Sequence, residues 1–569
     1  MRVASTFTLV LLITLSGCGG GGGGSPDTTP PAAVTVTSPS ASPVITNGDA
    51  LVISGTCETA ATVNLTGDDT QNTACTSSEF SFTVTKTVDD TYNFALTQTD
   101  PANNTSTSVN VQWIRDTIPP TPPAVTAILN GDGTVSLSWG ASTDDSGILE
   151  YRAQRGTLPL VRTVGLAATD DTVKPGSIVD YFVRAVDNAG NISALATRQS
   201  VAIPTTSISP GFGPPLEFQV SGAAVYASVF DVDRDGIRDL VVGINPTGPG
   251  QDNGVQTILS PLVAGAVVMA SPNTPTFIGV PEHNQPLFTG VNVNGEPGPE
   301  LLGGFTALRW DGLNQTWISI EPNTFFQDAT LAYADLNGDA ILDRVTSVRP
   351  NGFPLDRLAF HPGLGDGTFG SFLESPIEIP GTDGVVGVVV ATDLDRDGLA
   401  DLVVWAQDSL VVVRQPEPGT LVVASASTVQ DSRFFRTALL VEDVTGDGYP
   451  DVIVTQYDGG SGELRVFIND GAGNFATTPV LSGSSDPWNF SVGDLDGDGI
   501  QDLIVGNRIS QDLDLFISQG DGTFTLDSSF VHGYFPMLFV QDVDRDGAVD
   551  LVTVNNALNS GTVRVYLAQ

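Results

Sequence analysis

The stretch DLDRDGLADLVV (residues 393–404) decides the fold of this chain, because close copies of it recur along the sequence. Three aspartates alternate with other residues, a glycine follows, a fourth aspartate stands at position nine, and an apolar run comes next. A weaker copy, NVNGEPGPELLG, occupies residues 292–303. The close copies are DVDRDGIRDLVV (231–242), DLNGDAILDRVT (335–346), DVTGDGYPDVIV (443–454), DLDGDGIQDLIV (494–505) and DVDRDGAVDLVT (542–553).

The spacing of these seven copies indicates a repeated sheet. They begin 61, 43, 58, 50, 51 and 48 residues apart, and a period near fifty residues is typical of a four-stranded propeller blade. The sequence therefore predicts a seven-bladed β-propeller over residues 205–569. The last copy ends abruptly at VRVYLAQ (563–569), and SPGFGPPLEFQV (209–220) offers the strand that would complete this blade and close the ring.

The repeated loop has the chemistry of a cation site. Alternating carboxylates at positions one, three and five can turn to one centre, the glycine allows a sharp turn, and the carbonyl of position seven and the carboxylate of position nine complete a cage of oxygen atoms. Such a flexible cage suits calcium better than magnesium, and cation binding should couple to folding. Position twelve is Val or Thr, never Glu, and an apolar strand follows, so the loop is not an EF-hand.

The loops resemble the FG-GAP and VCBS repeats of integrin α-subunit propellers and their bacterial relatives. The resemblance covers residues 205–569 and implies about four to six calcium ions. Ala340 replaces the expected glycine in one loop, the 292 loop is predicted to be a metal-free turn, and a plain Asp-Gly turn is the alternative for every loop. The predicted ligands are Asp231, Asp233, Asp235, Ile237, Asp239; Asp335, Asn337, Asp339, Ile341, Asp343; Asp393, Asp395, Asp397, Leu399, Asp401; Asp443, Thr445, Asp447, Tyr449, Asp451; Asp494, Asp496, Asp498, Ile500, Asp502; and Asp542, Asp544, Asp546, Ala548, Asp550.

The N-terminus has the pattern of an export signal. Arg2 precedes an apolar run over residues 7–15 that is too short to span a bilayer permanently. The segment ending in Cys18 resembles the bacterial lipobox, which implies a signal peptide over residues 1–18 and a lipidated Cys18; an ordinary signal peptide is the alternative. A Gly- and Pro-rich tether (19–31) follows. We expect an exported protein that its lipid alone holds to the cell envelope, at the outer membrane and exposed at the surface.

Two small β-domains are predicted between the tether and the repeats. Residues 32–116 alternate apolar and polar side chains and resemble bacterial immunoglobulin-like domains. Residues 117–204 resemble fibronectin type III, with Trp139 in the core and Tyr181 at the tyrosine corner, where its hydroxyl would bond a backbone group. We expect a disulfide between Cys57 and Cys75, with two buried free thiols as the alternative. The predicted fold class is all-β: two N-terminal β-sandwiches followed by a seven-bladed β-propeller.

Composition narrows the function classes. The net charge is −42 and the only lysines are Lys86 and Lys174, so a basic face for nucleic acid is lacking. His283, His361 and His532 stand in different repeats, and no nucleophile elbow, HExxH motif or phosphate loop is present, so we assign no catalytic residues and predict no enzyme. Four tryptophans could stack on sugars: Trp310, Trp317, Trp405 and Trp488, although Trp405 lies in a strand pattern that favours packing.

The sequence leaves three functions open. The first is a calcium-binding surface lipoprotein in which the sandwiches hold the propeller away from the membrane and one propeller face engages an unknown protein or glycan. The second is a calcium-dependent, lyase-like enzyme that processes polysaccharides. The third is a purely structural component of the envelope. We favour adhesion or ligand binding, because the scaffold signals are strong and catalytic motifs are lacking.

Overall fold

The computed structural model shows an all-β protein, as predicted. Every regular element among the residues that it describes is a strand, and no helix within those residues has the length and hydropathy of a membrane span. The chain forms two compact units, Met1–Ile118 and Pro119–Gln569. The structure describes residues 27–205 and 212–568, with gaps at 221–222, 233–237, 246–253, 259–261, 264–265, 268–275, 278–288, 292–299, 303–306, 312–315, 320–329, 349–356, 367, 372–376, 381–385, 407–408, 429–435, 458–461, 479–480, 482–483, 485, 533–535 and 556–560.

The first unit contains two sheets around one core, here called the first sandwich (residues 35–115). Alternate side chains of each strand point inward, so Ile53 and Phe82 of one sheet share the core with Leu65 and Trp113 of the other. One sheet has the order β1 (Thr35–Ser38), β3 (Ala50–Thr56), β6 (Glu79–Thr85). The other has the order β2 (Val44–Thr46), β8 (Val109–Arg115), β7 (Asp90–Thr99), β4 (Thr62–Gly67), β5 (Gln71–Ala74).

A disulfide joins Cys57 to Cys75 across this first sandwich, with 5.9 Å between their Cα atoms. Cys75 is buried in the shared core and Cys57 packs against it. The bond therefore ties the segment after β3 to the segment after β5. A covalent link over a sequence separation of 18 residues restricts the unfolded chain, an effect worth about 3 kcal/mol.

The second unit begins with another pair of sheets, the second sandwich (residues 125–203). Leu137 and Trp139 pack against Tyr151 and Tyr181 in its core. The Tyr181 hydroxyl donates to the Asp170 carboxylate at 2.9 Å, whereas the sequence predicted a backbone acceptor. The sheets have the orders β13 (Ala167–Asp170), β10 (Val135–Trp139), β9 (Val125–Leu129) and β12 (Leu158–Thr163), β11 (Ile148–Arg155), β14 (Ile178–Asp187), β15 (Gln199–Ala202).

Seven four-stranded antiparallel sheets fill the described part of the chain beyond residue 212. In six of them the strands follow one another in chain order, apart from a short hairpin, β20 (Leu262–Val263) and β21 (Ala266–Val267), inserted in the first. These six are β17 (Ala223–Phe230), β18 (Asp239–Asn245), β19 (Gly254–Ile258), β22 (Thr276–Phe277); β23 (Thr289–Val291), β24 (Glu300–Leu302), β25 (Ala307–Asp311), β26 (Thr316–Ser319); β27 (Thr330–Ala334), β28 (Asp343–Val348), β29 (Arg357–His361), β30 (Ile377–Glu378); β31 (Val386–Thr392), β32 (Asp401–Ala406), β33 (Ser409–Glu417), β34 (Thr420–Thr428); β35 (Arg436–Glu442), β36 (Asp451–Tyr457), β37 (Gly462–Asn469), β38 (Phe475–Thr477); and β39 (Pro487–Gly493), β40 (Asp502–Asn507), β41 (Asp512–Ser518), β42 (Phe524–Val531).

The seventh sheet combines both ends of the repeat region, as the sequence predicted. Strand β16 (Leu216–Val220) pairs antiparallel with β45 (Gly561–Tyr566), followed by β44 (Asp550–Asn555) and β43 (Pro536–Gln541). Phe218 lies opposite Val563, and both are buried. The early strand covers the edge that β45 would otherwise expose.

Neighbouring sheets pack face to face through buried aliphatic side chains. Shared cores join the sheet of β27–β30 to that of β31–β34, and continue in chain order to the seventh sheet. The seventh sheet in turn shares a core with the sheet of β17, where Val552 and Val563 meet Leu240 and Ile244. Trp405 is buried in one of these cores with its ring edge-on to Phe467, which confirms its predicted packing role.

Candidate metal centre

The acidic motifs form the connection between the first and second strands of their sheets. We call them the aspartate loops (231–239, 335–343, 393–401, 443–451, 494–502 and 542–550). Each begins just after a first strand and ends at the aspartate that opens the second strand. The apolar run after position nine is therefore the second strand, buried in the sheet stack, and it anchors the loop.

The first aspartate of each fully described loop organises the turn. In the 393 loop, the Asp393 carboxylate accepts the amides of Asp397 at 3.0 Å and Gly398 at 2.8 Å. The equivalent bonds to the position-six amide recur in the 335, 443, 494 and 542 loops. The position-five carboxylate accepts the position-seven amide at 2.8 Å in all five. These bonds curl the loop around its carboxylates.

The aspartate at position nine of each loop connects the start of its own strand to two other parts of the sheet by hydrogen bonds. In the 494 loop, one oxygen of Asp502 accepts the Leu495 amide at 2.8 Å, and the other accepts the Ser518 amide, at the end of the third strand, at 2.9 Å. The same pair of bonds is made by Asp343, Asp401, Asp451 and Asp550. Sequence reasoning assigned this residue to metal binding alone and missed its structural bonds, although its place at the strand start was a usable signal.

Burial of these carboxylates changes their pKa values. It raises the pKa of Asp343, Asp401, Asp502 and Asp550 to about 7, against the partial opposition of the amide donors. Burial likewise raises the pKa of Asp451 and of Asp393 to about 6. Buried carboxylates close together repel one another, so a positive charge at the centre of the loop would stabilise their ionised form.

Three of the described loops bring carboxylate oxygens close enough to share an ion. Within each set the oxygens lie within 4.8 Å of one another, and the sets are Asp393, Asp395, Asp397; Asp494, Asp496, Asp502; and Asp542, Asp544, Asp550. Their oxygen-only donor sets suit a hard divalent cation. These three loops could therefore bind metal ions.

Position three of the 443 and 335 loops is a neutral polar residue. In the 443 loop, Thr445 donates to Asp443 at 3.3 Å, and in the 335 loop, Asn337 lies 3.3 Å from Asp339 and 3.4 Å from Asp343. Ala340 adopts a left-handed backbone (φ 60°), as the corresponding glycines do, so its methyl group does not prevent the turn. Asp231 and Asp239 are described, whereas Asp233, Asp235, Ile237, the 292 loop and Cys18 lie outside the described residues.

Arg414 is a residue that the sequence analysis did not single out. It lies on the third strand of its sheet, and its guanidinium bonds Asp395 and contacts Asp401 at 3.1 Å. An arginine thus supplies positive charge directly beside the 393 loop. Only tertiary pairing brings it there, because residues 395 and 414 are 19 positions apart.

The described histidines do not form a shared site. His361 contacts Thr346 and the Gly370 carbonyl, each at 3.2 Å. His532 contacts Thr553 at 2.9 Å, and burial lowers its pKa to about 4, which keeps the ring neutral. These contacts are within their own or an adjacent sheet, so the two imidazoles serve packing.

Comparison with known proteins supports the repeat assignment. A family model for the FG-GAP-like repeat matches residues 443–505 and 494–553. Exoglucanase B of Cellulomonas fimi is 34% identical over 164 residues, which cover 27% of this chain and 14% of the enzyme. This chain therefore spans about a seventh of the length of that relative.

Solved structures give more distant likenesses. The fibronectin(III)-like modules of Clostridium thermocellum CbhA match with 16% identity and a TM-score of 0.22, over 30% of this chain and 91% of theirs. A lectin of Agrocybe aegerita, described as recognising non-reducing terminal N-acetylglucosamine, matches with 16% identity and a TM-score of 0.39, over 69% of this chain and 92% of its own.

Proposed function

We propose that this protein is a calcium-dependent, surface-anchored binding protein whose seven sheets form a seven-bladed β-propeller. Seven four-stranded sheets, the shared cores between neighbours and the pairing of β16 with β45 support the propeller. The oxygen-rich loops support calcium as the ion. Calcium would rigidify the loops and so hold the blades in one arrangement.

The ligand that we propose is a glycan, and one surface feature carries this proposal. Trp488 is half-buried at the start of β39, and the Arg508 guanidinium lies 5.3 Å from the centre of its ring. Arg508 also donates to the buried Asp486 carboxylate at 2.9 Å. The guanidinium covers one face of the ring, and an aromatic ring held next to hydrogen-bonding groups suits a sugar, whose C–H face stacks and whose hydroxyls bond.

A buried polar network joins this feature through Asn507, whose Oδ1 accepts the Asp486 amide at 3.4 Å. Asn507 donates to Asp512 at 2.9 Å and to Asp514 at 2.6 Å, and Ser529 donates to Asp514 at 2.5 Å. Because Trp488 is the second residue of β39 and Asn507 is the last of β40, the group lies at the end of the sheet opposite to the 494 loop. The similarity to part of an exoglucanase is consistent with a carbohydrate context for this chain.

A glycan array probed with the full chain in calcium tests the proposed ligand. We expect Trp488→Ala to weaken binding to any retained glycan about fivefold or more, because stacking on an aromatic ring is worth about 1 kcal/mol and each 1.4 kcal/mol is tenfold in affinity. Ile509→Ala, at an exposed neighbour, is the matched control and should bind normally. An array without binding, or equal binding by both variants, would contradict the proposal; cleaved products would favour the polysaccharide-processing alternative.

Lipid anchoring is the proposed mode of attachment, on the basis of the sequence around Cys18. We expect Cys18→Ala to move the protein from the membrane pellet to the soluble fraction after cell fractionation, because the acylated thiol is lost. Ser25→Ala, in the tether, should leave the protein in the pellet. Retention of the Cys18 variant with membranes would show that something other than this lipid holds the protein.

A further inference from the structure

The two central strands of one sheet of the second sandwich, β11 and β14, are largely buried on both faces. Along β14, Tyr181, Val183 and Ala185 point into the sandwich core, yet Asp180, Phe182 and Arg184 on the other face are buried as well. On the neighbouring β11, Arg152 and Gln154 are also buried. Charged residues on an outer sheet face are normally exposed, so their burial identifies this face as an interface.

The aspartate loops cover this outer face. Arg396 of the 393 loop makes a two-pronged ion pair with Asp180, in which Nε and Nη2 each donate at 2.8 Å. Gln154 donates to the Gly398 carbonyl at 3.1 Å. A Cβ atom on Gly398 would lie 2.9 Å from the Phe182 ring, so the backbone of this loop is in close contact with the sandwich.

Other loops join the same interface. Arg152 donates to the Asp339 carbonyl in the 335 loop, and Lys174 donates to the Val492 carbonyl just before the 494 loop at 2.7 Å. Gln501 of the 494 loop donates to the Gly176 carbonyl at 2.8 Å. Arg545 of the 542 loop pairs with Asp171 at 3.2 Å. The second sandwich thus contacts the loops of several sheets.

Loop position four links the loop conformation to this contact. It has a left-handed backbone and is glycine in the 335, 443 and 494 loops, with φ of 76–79°. Arg396 and Arg545 occupy it with φ of 63° and 62°, a conformation that is strained for a residue with a Cβ atom. Both of these strained arginines form ion pairs with the second sandwich. The two strained position-four residues are therefore those whose side chains pair with carboxylates of the second sandwich.

We propose that docking of the second sandwich on the aspartate loops is coupled to cation binding in those loops, so that each strengthens the other. This inference rests on the proposed calcium sites. The sandwich bonds loop carbonyls and position-four side chains, whose placement requires the loop to be curled. A cation that draws the carboxylates together fixes that curl, and a docked sandwich in turn holds the loop ready for the cation. Such coupling is reciprocal by thermodynamic necessity.

The alternative is a coupling of opposite sign, in which calcium weakens docking. Arg152 and Arg184 bring positive charge toward the 335 loop, where Arg184 interacts with Asp335 and Asp339. If this attraction dominated, calcium would neutralise the loops and loosen docking. The Gln154 bond to the Gly398 carbonyl has a neutral donor, and Arg396 and Arg545 pair with carboxylates of the sandwich. Neutralising the loop carboxylates leaves these contacts in place, so we expect tightening.

The test uses the full chain and two measurements. The Arg396 side chain is held by Asp180 and must leave it to enter the trypsin active site, so cleavage after Arg396, followed by mass spectrometry, reports undocking. We expect chelation to accelerate this cleavage at least fivefold. Calorimetric titration with calcium should show that Asp180→Asn weakens at least one site about fivefold or more, the lower end of typical coupling. Asp145→Asn, which removes an exposed carboxylate from the same sandwich, should match wild type.

The outcomes separate the two proposals. Wild-type protein that binds calcium but shows equal or faster cleavage in its presence would overturn the coupling and leave the calcium sites intact. Wild-type protein that binds no calcium would overturn the sites as well. The cleavage experiment needs no variant, so it decides the matter even if Asp180→Asn fails to fold.

Discussion

Removing divalent cations with EDTA should lower the melting temperature of the second unit by about 10 °C. Each site held at a calcium concentration 100-fold above its dissociation constant stabilises the folded state by about 2.7 kcal/mol, so four sites would add about 11 kcal/mol. For a unit of this size the entropy of unfolding makes 1 kcal/mol worth roughly 1 °C. Differential scanning calorimetry in calcium and in EDTA measures the difference.

The first sandwich provides an internal control for this measurement. Its stability rests on an apolar core and the Cys57–Cys75 disulfide, so its transition should stay in place when cations are removed. Adding calcium back in excess of EDTA should return the melting temperature of the second unit to its original value. A second-unit transition that chelation leaves within about 1 °C would show that the aspartate loops are plain turns.

Substituting Val563 by aspartate should destabilise the second unit by about 4 kcal/mol or more. Val563 is fully buried on β45, opposite Phe218 of β16, in the core that joins the seventh sheet to the sheet of β17. A carboxylate there has no partner to offset its loss of hydration. Denaturant unfolding followed by circular dichroism gives the change in the free energy of unfolding.

The neighbouring residue offers the matched control. Arg564 is part of the same strand but its guanidinium pairs with the exposed Glu217 at 2.8 Å, and exposed ion pairs contribute about 0–1 kcal/mol. Arg564→Ala should therefore unfold close to wild type. Equal stability of the two variants would mean that the pairing of β16 with β45 does not hold the ends of the repeat region together.

Much of the local structure followed from sequence because local patterns carry it. Alternation of apolar and polar side chains over residues 32–116 predicted strands there, such as β6, and the repeated acidic motif predicted a loop ahead of an apolar strand in each sheet. The likeness of residues 209–220 to the end of a repeat predicted the strand that completes the seventh sheet. In each case the deciding information lies in adjacent residues or in a repeat that can be compared with its own copies.

Sequence by itself determined the all-β class, the period of the sheets and the oxygen-rich chemistry of the aspartate loops, since side-chain alternation and donor type are properties of short segments. Only the tertiary structure decided that the aspartate at position nine bonds the amides of two other backbone segments. It also decided that Arg414 lies beside the 393 loop and that the second sandwich covers the loops. These contacts join residues that are 7 to 216 positions apart. Which residues meet in these contacts depends on how the sheets pack, and no local sequence pattern specifies it.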